Sequence, residues 1–166
     1  AHKVHPITAL QTEYSLWERH VEKEILPAVR DLGIGFVPYS PLGRGFLTGK
    51  IADPQALGPK DARAQRYPRF AAEAFARNQA LVQRLEAIAA RRQVTPGQLA
   101  LAWVLAQGPD VVPIPGTKRR KYLEENAAAA DLPLTLAEVC EIEAAVPEDE
   151  IVGDRYTAAG LQAIDQ

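Results

Sequence analysis

IGFVPYSPLGRG (residues 34–45) starts as a short, unbroken apolar run and ends in a turn holding two glycines. An apolar run that does not alternate with polar residues marks a strand covered on both faces, as in parallel sheets. The turn SPLGRG then falls at the strand's C-terminal end, the edge where parallel α/β folds place ligands. Gly43 and Gly45 allow the backbone to approach a bound group closely. Taken alone, the same six residues equally describe an ordinary strand-to-helix turn.

Working outward, ITALQTEYS (residues 7–15) carries β-branched and aromatic residues after a proline and reads as a strand. Trp17, Val21, Ile25, Val29 and Leu32 recur at helical spacing, and Gly33 stands where helices commonly stop. Pro27 is expected to kink that helix or restart it. Downstream, residues 41–70 are irregular, with six cations (Arg44, Lys50, Lys60, Arg63, Arg66, Arg69) against two acids (Asp53, Asp61). So long a loop suggests a functional lid or disorder. Helix returns over residues 71–92. Thr95, Pro96 and Gln98 form a capping box with proline at the first helical position, opening LALAWVLA (residues 99–106), which is apolar all round and therefore buried. VVPIP (residues 111–115) reads as a third strand, residues 119–130 as a helix, and Thr135 with Glu138 as the capping box of another helix ending near Pro147. Residues 148–166 show no strong period. Strands that alternate with helices imply βαβ units and a parallel sheet.

PIPGTKRRKYLEEN (residues 113–126) poses the functional question. Four cations, Lys118 to Lys121, stand at a helix start in a chain of net charge −2. The helix macrodipole disfavours cations there, so an anion is the expected occupant. Free N–H groups, the Thr117 hydroxyl and adjacent cations suit a phosphate, and the segment again follows a strand at its C-terminal end. A solvated basic helix turn is the competing reading.

Composition removes several classes. With 19 basic and 21 acidic residues the chain lacks the basic excess of a dedicated nucleic-acid binder. A single Cys140 permits no internal disulfide and no cysteine-based zinc site; near Leu136 and Val139 it reads as a small core residue. No run approaches the roughly 20 apolar residues of a membrane span. AHKVHP lacks the basic-then-apolar pattern of a leader, so the cytoplasm is expected; it also opens in mid-phrase, which suggests a fragment. GRGFLTGK (residues 43–50) fails as a P-loop, having Arg44 where the first glycine belongs and Ile51 where Ser or Thr binds magnesium. Gly33 and Gly35 precede a strand and fail the dinucleotide fingerprint. His2, His5 and His20 have no partner at metal spacing. Trp103 belongs to the core. Tyr14 and Trp17 are core residues or pocket walls, and the adjacent Glu124 and Glu125 are expected to face solvent unless they take part in acid–base chemistry.

ALQTEYSLWER, GIGFVPYSPLGRGFLTGK and PIPGTKRRKYLEEN, in that order, resemble the aldo-keto reductase superfamily, a (β/α)8 barrel that uses NADPH. The resemblance spans essentially the whole chain and implies one partial domain over residues 1–166: the sixth to eighth barrel strands, a C-terminal helix and a tail at the substrate mouth. By that likeness Gln11 hydrogen-bonds the nicotinamide carboxamide and Tyr39 stacks beneath the ring. Ser40, Pro41, Leu42, Gly43 and Gly45 lie along the pyrophosphate. Gly116, Thr117 and Lys118 grip the adenosine 2′-phosphate, which makes NADPH rather than NADH the expected cofactor. Glu125 and Asn126 read the adenine; Tyr122 stands where many relatives carry Arg or Gln, and its ring can stack on adenine. Ile114 completes the expected cofactor-binding set.

The family's catalytic Asp, Tyr, Lys and His lie on earlier strands, and no residues here match them. The implied reaction is hydride transfer from NADPH to a small-molecule aldehyde or ketone. Two other readings stay open: a non-catalytic NADP(H)-binding or regulatory module, and a truncated piece without activity of its own. Neither nucleic acid nor membrane is an expected partner, whereas self-association through open barrel edges is.

Overall fold

The computed structural model describes residues 1–58 and 60–163. Pro59, inside the expected lid, and residues 164–166, at the end of the expected domain, lie outside the described residues. Two parallel strands form the sheet: β1 (Ala9–Glu13) and β2 (Gly35–Tyr39), with Gln11 opposite Val37 and Glu13 opposite Tyr39. Between them run a 3-10 turn (His20–Glu22) and α1 (Ile25–Asp31). Pro27 is the third residue of α1, where its missing N–H is no loss, so the proline restarts a helix instead of kinking one. Gly33 ends the connection with φ +65° and donates its N–H to the Arg30 carbonyl.

The third strand is present only as a single parallel bridge from Phe36 to Val111. Phe36 gives its N–H to Asp110 and accepts from Val112, and the Pro38 carbonyl accepts from Ile114. The return bond at the next rung requires an N–H on Pro38, which has none. A feature of β2 therefore cuts the neighbouring ladder short, and residues 111–115 run beside β2 as an extended segment. Burial also departs from expectation. Phe36 and Pro38 are buried on one face of β2, but Gly35, Val37 and Tyr39 on the other are only half-buried.

The helices cover the Phe36 face. α2 (Ala62–Arg66), α3 (Ala72–Arg91), α4 (Pro96–Ala106), α5 (Arg120–Ala127), α6 (Leu136–Ala145) and α7 (Ala158–Gln162) follow in order. α3 buries Leu81, Val82, Leu85, Ile88 and Ala89, and α4 buries seven of its residues, Trp103 among them. Both capping boxes form as read, at Thr95 with Gln98 and at Thr135 with Glu138. Tyr14 and Trp17 prove to be core. Tyr14 packs edge-on against Phe36 and gives its hydroxyl to Glu22, while Trp17 lies on Phe46 with ring centroids 3.9 Å apart. Among the described residues no helix is long and apolar enough to cross a membrane.

Two expectations are corrected. Residues 41–70 are not structureless: they fold as 3-10 turns at Gly43–Thr48, Pro54–Ala56 and Pro68–Phe70, with α2 between the last two. Phe46, Leu47 and Phe70 anchor the ends of the stretch in the core, and Asp53 and Asp61 cap its short helical pieces. Cys140 is exposed. α6 turns Ile142 into the core, whereas Cys140 shares the outer face with Leu136, one turn earlier and 86 % exposed.

Candidate functional site

The C-terminal end of β2 bends sharply. Ser40, Gly43, Arg44 and Gly45 all have positive φ, so four residues in six adopt the left-handed region. This turn forms one wall of a cavity of about 670 Å³, a size typical of small-molecule and cofactor sites. Ser40, Pro41, Leu42 and Gly45 line it from the turn. Ile114, Gly116 and Thr117 line it from the end of the neighbouring segment, and Tyr122, Glu125 and Asn126 from α5. Ten of the fourteen expected residues thus converge on one space.

The other four stand elsewhere. Gly43 is buried beneath the turn against Trp17. Gln11 and Tyr39 lie on one face of the sheet, two rungs apart along the register, and do not line the cavity. Lys118 is exposed and outside the cavity wall, as are Arg119, Arg120 and Lys121. The Thr117 hydroxyl is engaged at the helix start, where it accepts from the Arg119 N–H at 3.2 Å.

The cavity's own cations are Arg44, Lys50 and Arg63, from the stretch read as a lid. Their cationic excess in the sequence was the available signal. Lys50 spans the opening: Nζ lies 3.1 and 3.2 Å from the Glu125 carboxylate oxygens and 4.2 Å from the Tyr122 ring centre. Glu125 also accepts from the Thr95 hydroxyl at 3.0 Å, so it is held inward while Glu124 faces solvent. The α4 capping residue therefore also orients a cavity carboxylate. Thr95→Ala is expected to cost about 1 kcal/mol in urea denaturation, with Thr95→Ser recovering most of it; an unchanged midpoint would show that the cap contributes nothing.

Behind the turn lies a cluster that the sequence reading passed over. Glu13, buried at the end of β1, accepts from Arg44 at 2.5 and 2.9 Å, from Arg155 at 2.7 Å and from the Tyr156 hydroxyl at 3.2 Å. Arg155 also donates to the Tyr39 hydroxyl at 2.7 Å, and the Tyr39 and Tyr156 hydroxyls lie 3.0 Å apart. Burial opposes the charge on Arg44 and on Arg155, but the hydrogen bond and charge of Glu13 outweigh it and hold both guanidiniums above their ordinary range. Burial likewise pushes the Tyr156 hydroxyl up, aided by its bond to Tyr39 and the charge of Glu13. Alternation was the one available hint: Gln11 and Glu13, two apart on a strand, must share a face. Among the described residues no group of three or more metal-ligating side chains assembles. His20 instead bonds Glu18 at 2.9 Å.

The sequence profile of the Aldo/keto reductase family matches residues 1–147. The chain belongs to the aldo/keto reductase family. It is 50 % identical over 156 residues to a probable aldo-keto reductase 1 of Glycine max, covering 94 % of this chain and 44 % of that protein. It is 46 % identical over 168 positions to aldo-keto reductase str7 of Strobilurus tenacellus, covering 99 % of this chain and 50 % of that one. Among solved structures, a glycerol dehydrogenase of Gluconobacter oxydans superposes with a TM-score of 0.78 at 28 % identity, over 89 % of this chain and 45 % of the other. The chain thus spans about half the length of the curated relatives it matches. Its two parallel strands and their covering helices are part of an aldo-keto reductase barrel. As a family the aldo-keto reductases are oxidoreductases that use NAD(P)H.

Proposed function

We propose that this chain is the NADP(H)-gripping portion of an aldo-keto reductase, comprising its sixth to eighth barrel strands. The observation that carries the reading is convergence. Residues from the Ser40–Gly45 turn meet residues from 114–117 and α5, far along the chain from it, and together they wall one cavity at the C-terminal ends of neighbouring parallel segments.

The residues suit the cofactor. Gly116 is exposed and faces open space, with nothing within 4 Å of where a Cβ would stand, which leaves room for a phosphate to approach the backbone. Arg44, Lys50 and Arg63 line the wall nearest the turn, each paired with a carboxylate, Glu13, Glu125 and Asp61 respectively, and a phosphate there would compete for their donors. Tyr122 and Asn126 offer a ring face and an amide for adenine, and Glu125 is positioned to join them on exchanging its bond to Lys50. Gln11 and Tyr39, on the sheet face beside the turn, are the proposed partners of the nicotinamide end. NADPH, when bound, supplies the hydride; the chain's own part is binding and orientation. A small-molecule aldehyde or ketone is the proposed acceptor, and the cytoplasm the proposed location. β1 is bonded on one edge only among the described residues, so its other edge is the proposed route to further strands or a second copy.

The test is cofactor choice. Lys118→Ala should weaken NADPH by about 1–3 kcal/mol, the scale of a charge-assisted hydrogen bond, while leaving NADH nearly unchanged in a fluorescence titration. Equal losses for both cofactors would sink the 2′-phosphate assignment.

A further inference from the structure

We propose that Arg155 is a positioning residue for Tyr39: carried in from the C-terminal segment, it ties the Tyr39 hydroxyl to the buried Glu13 carboxylate and fixes the ring at the strand ends. The inference rests on the reading that Tyr39 faces the nicotinamide end of the cofactor.

The route of the segment is built into the fold. Asn78, fully buried on α3, grips both polar groups of one backbone residue: it accepts from the Val152 N–H at 2.8 Å and donates to the Val152 carbonyl at 2.9 Å. Arg69 donates to the Gly153 carbonyl at 3.1 Å, and pairs with Glu18 at 2.8 Å. Gly153 has φ +91°, and a Cβ there would meet the backbone of Pro68 and Arg69 at 3.1–3.2 Å. Only glycine passes this point without strain. The place of Arg155, two residues on, is therefore set by α3 and the Pro68–Phe70 turn.

The chemistry at the end of that route is directional. Arg155 Nε donates to Glu13 and Nη2 to Tyr39, both at 2.7 Å, so one planar fork serves two acceptors in a fixed relation. A lysine has a single nitrogen and cannot reproduce that fork. Glu13 is a firm anchor because Arg44 binds both of its oxygens from the other side, with its guanidinium stacked 4.0 Å from the Tyr67 ring centre. The Tyr39 hydroxyl bonds Arg155 and Tyr156, and both come from the C-terminal segment. Without that segment the ring at the end of β2 keeps its backbone place but loses its lateral hold.

The experiment labels the protein with 3-fluorotyrosine and assigns the Tyr39 fluorine signal by its loss in Tyr39→Phe. Arg155→Lys keeps the charge opposite Glu13, and Arg155→Gln is the second variant should the first fail to fold. The Tyr39 signal is expected to shift and broaden in the folded variant while the Tyr122 signal stays. In parallel, NADPH and 2′,5′-ADP are titrated. Arg155→Lys should weaken NADPH about tenfold, the scale of one hydrogen bond from a charged donor, and leave 2′,5′-ADP, which has no nicotinamide, unchanged. An unmoved Tyr39 signal overturns the tie. A moved signal with unaltered NADPH affinity overturns the positioning role. A parent protein that binds neither nucleotide overturns the NADP(H) reading instead, and the fluorine signal then still decides whether Arg155 holds Tyr39.

Discussion

Glu13→Gln is expected to destabilise the protein by about 3–5 kcal/mol, the cost of breaking a buried ion pair by removing one partner. The Glu13 side chain is 1 % exposed, and Arg44 and Arg155, which both bind it, are 15 % and 12 % exposed. Neutralising the carboxylate leaves two guanidiniums desolvated with no anion between them. Glutamine can still accept through its carbonyl oxygen, but its NH2 group points donors at donors. The large effect comes from the arginines left behind, so it should fall sharply when they are removed as well. Glu13→Leu combined with Arg44→Met and Arg155→Met should recover much of the loss, because apolar replacement of a whole buried cluster is often neutral. Urea denaturation of the single and triple variants measures both. A Glu13→Gln protein within 1 kcal/mol of the parent would mean that water reaches the cluster and the arginines remain solvated.

Gly43→Ala is expected to cost about 2–4 kcal/mol, adding the left-handed backbone penalty to overpacking. Gly43 has φ +55°, and an added Cβ would stand 2.6 Å from Cε3 of Trp17. That ring cannot retreat: it is 3 % exposed and packed against Phe46 at 3.9 Å and Phe70 at 5.9 Å between centroids. The strain falls at the base of the turn that walls the cavity, so NADPH affinity should fall along with the melting temperature, which drops on the order of 10 °C. Gly116→Ala is the control. It has no atom within 4 Å of the new methyl and should melt within a degree or two of the parent. Equal melting temperatures for Gly43→Ala and the parent would show that the turn adapts around the new methyl.

Much of the architecture was legible because it depends on neighbours a few residues apart. The capping boxes at Thr95 and Thr135, the helix stop at Gly33, the buried face of α3 and the fully apolar α4 all follow from spacing within one or two turns. Most of the cavity wall was legible for a different reason. Its residues form contiguous motifs at the ends of parallel segments, and the family likeness orders those motifs along the chain. The readings that failed were those a second element decides. The third strand shrinks to one bridge because Pro38, on the neighbouring strand, has no N–H to return. Cys140 faces outward because α6 turns Ile142 to the core, although Leu136 and Val139 beside it look equally apolar in sequence.

By itself, then, the sequence determined the two strands and the longer helices in their order, the two capping boxes, the family, and most of the motifs that wall the cavity, since each is written in local spacing or in a contiguous stretch. Only the tertiary structure decided which charges meet. Glu13 binds Arg44, 31 positions away, and Arg155, 142 positions away, and Lys50 reaches Glu125 across 75. Which acid pairs with which base is set by where the backbone carries each side chain, and the composition of 19 cations and 21 anions admits many other pairings. Burial then selects among them: a carboxylate that is 1 % exposed holds its arginines firmly, while the four cations that drew attention at the start of α5 stand in solvent.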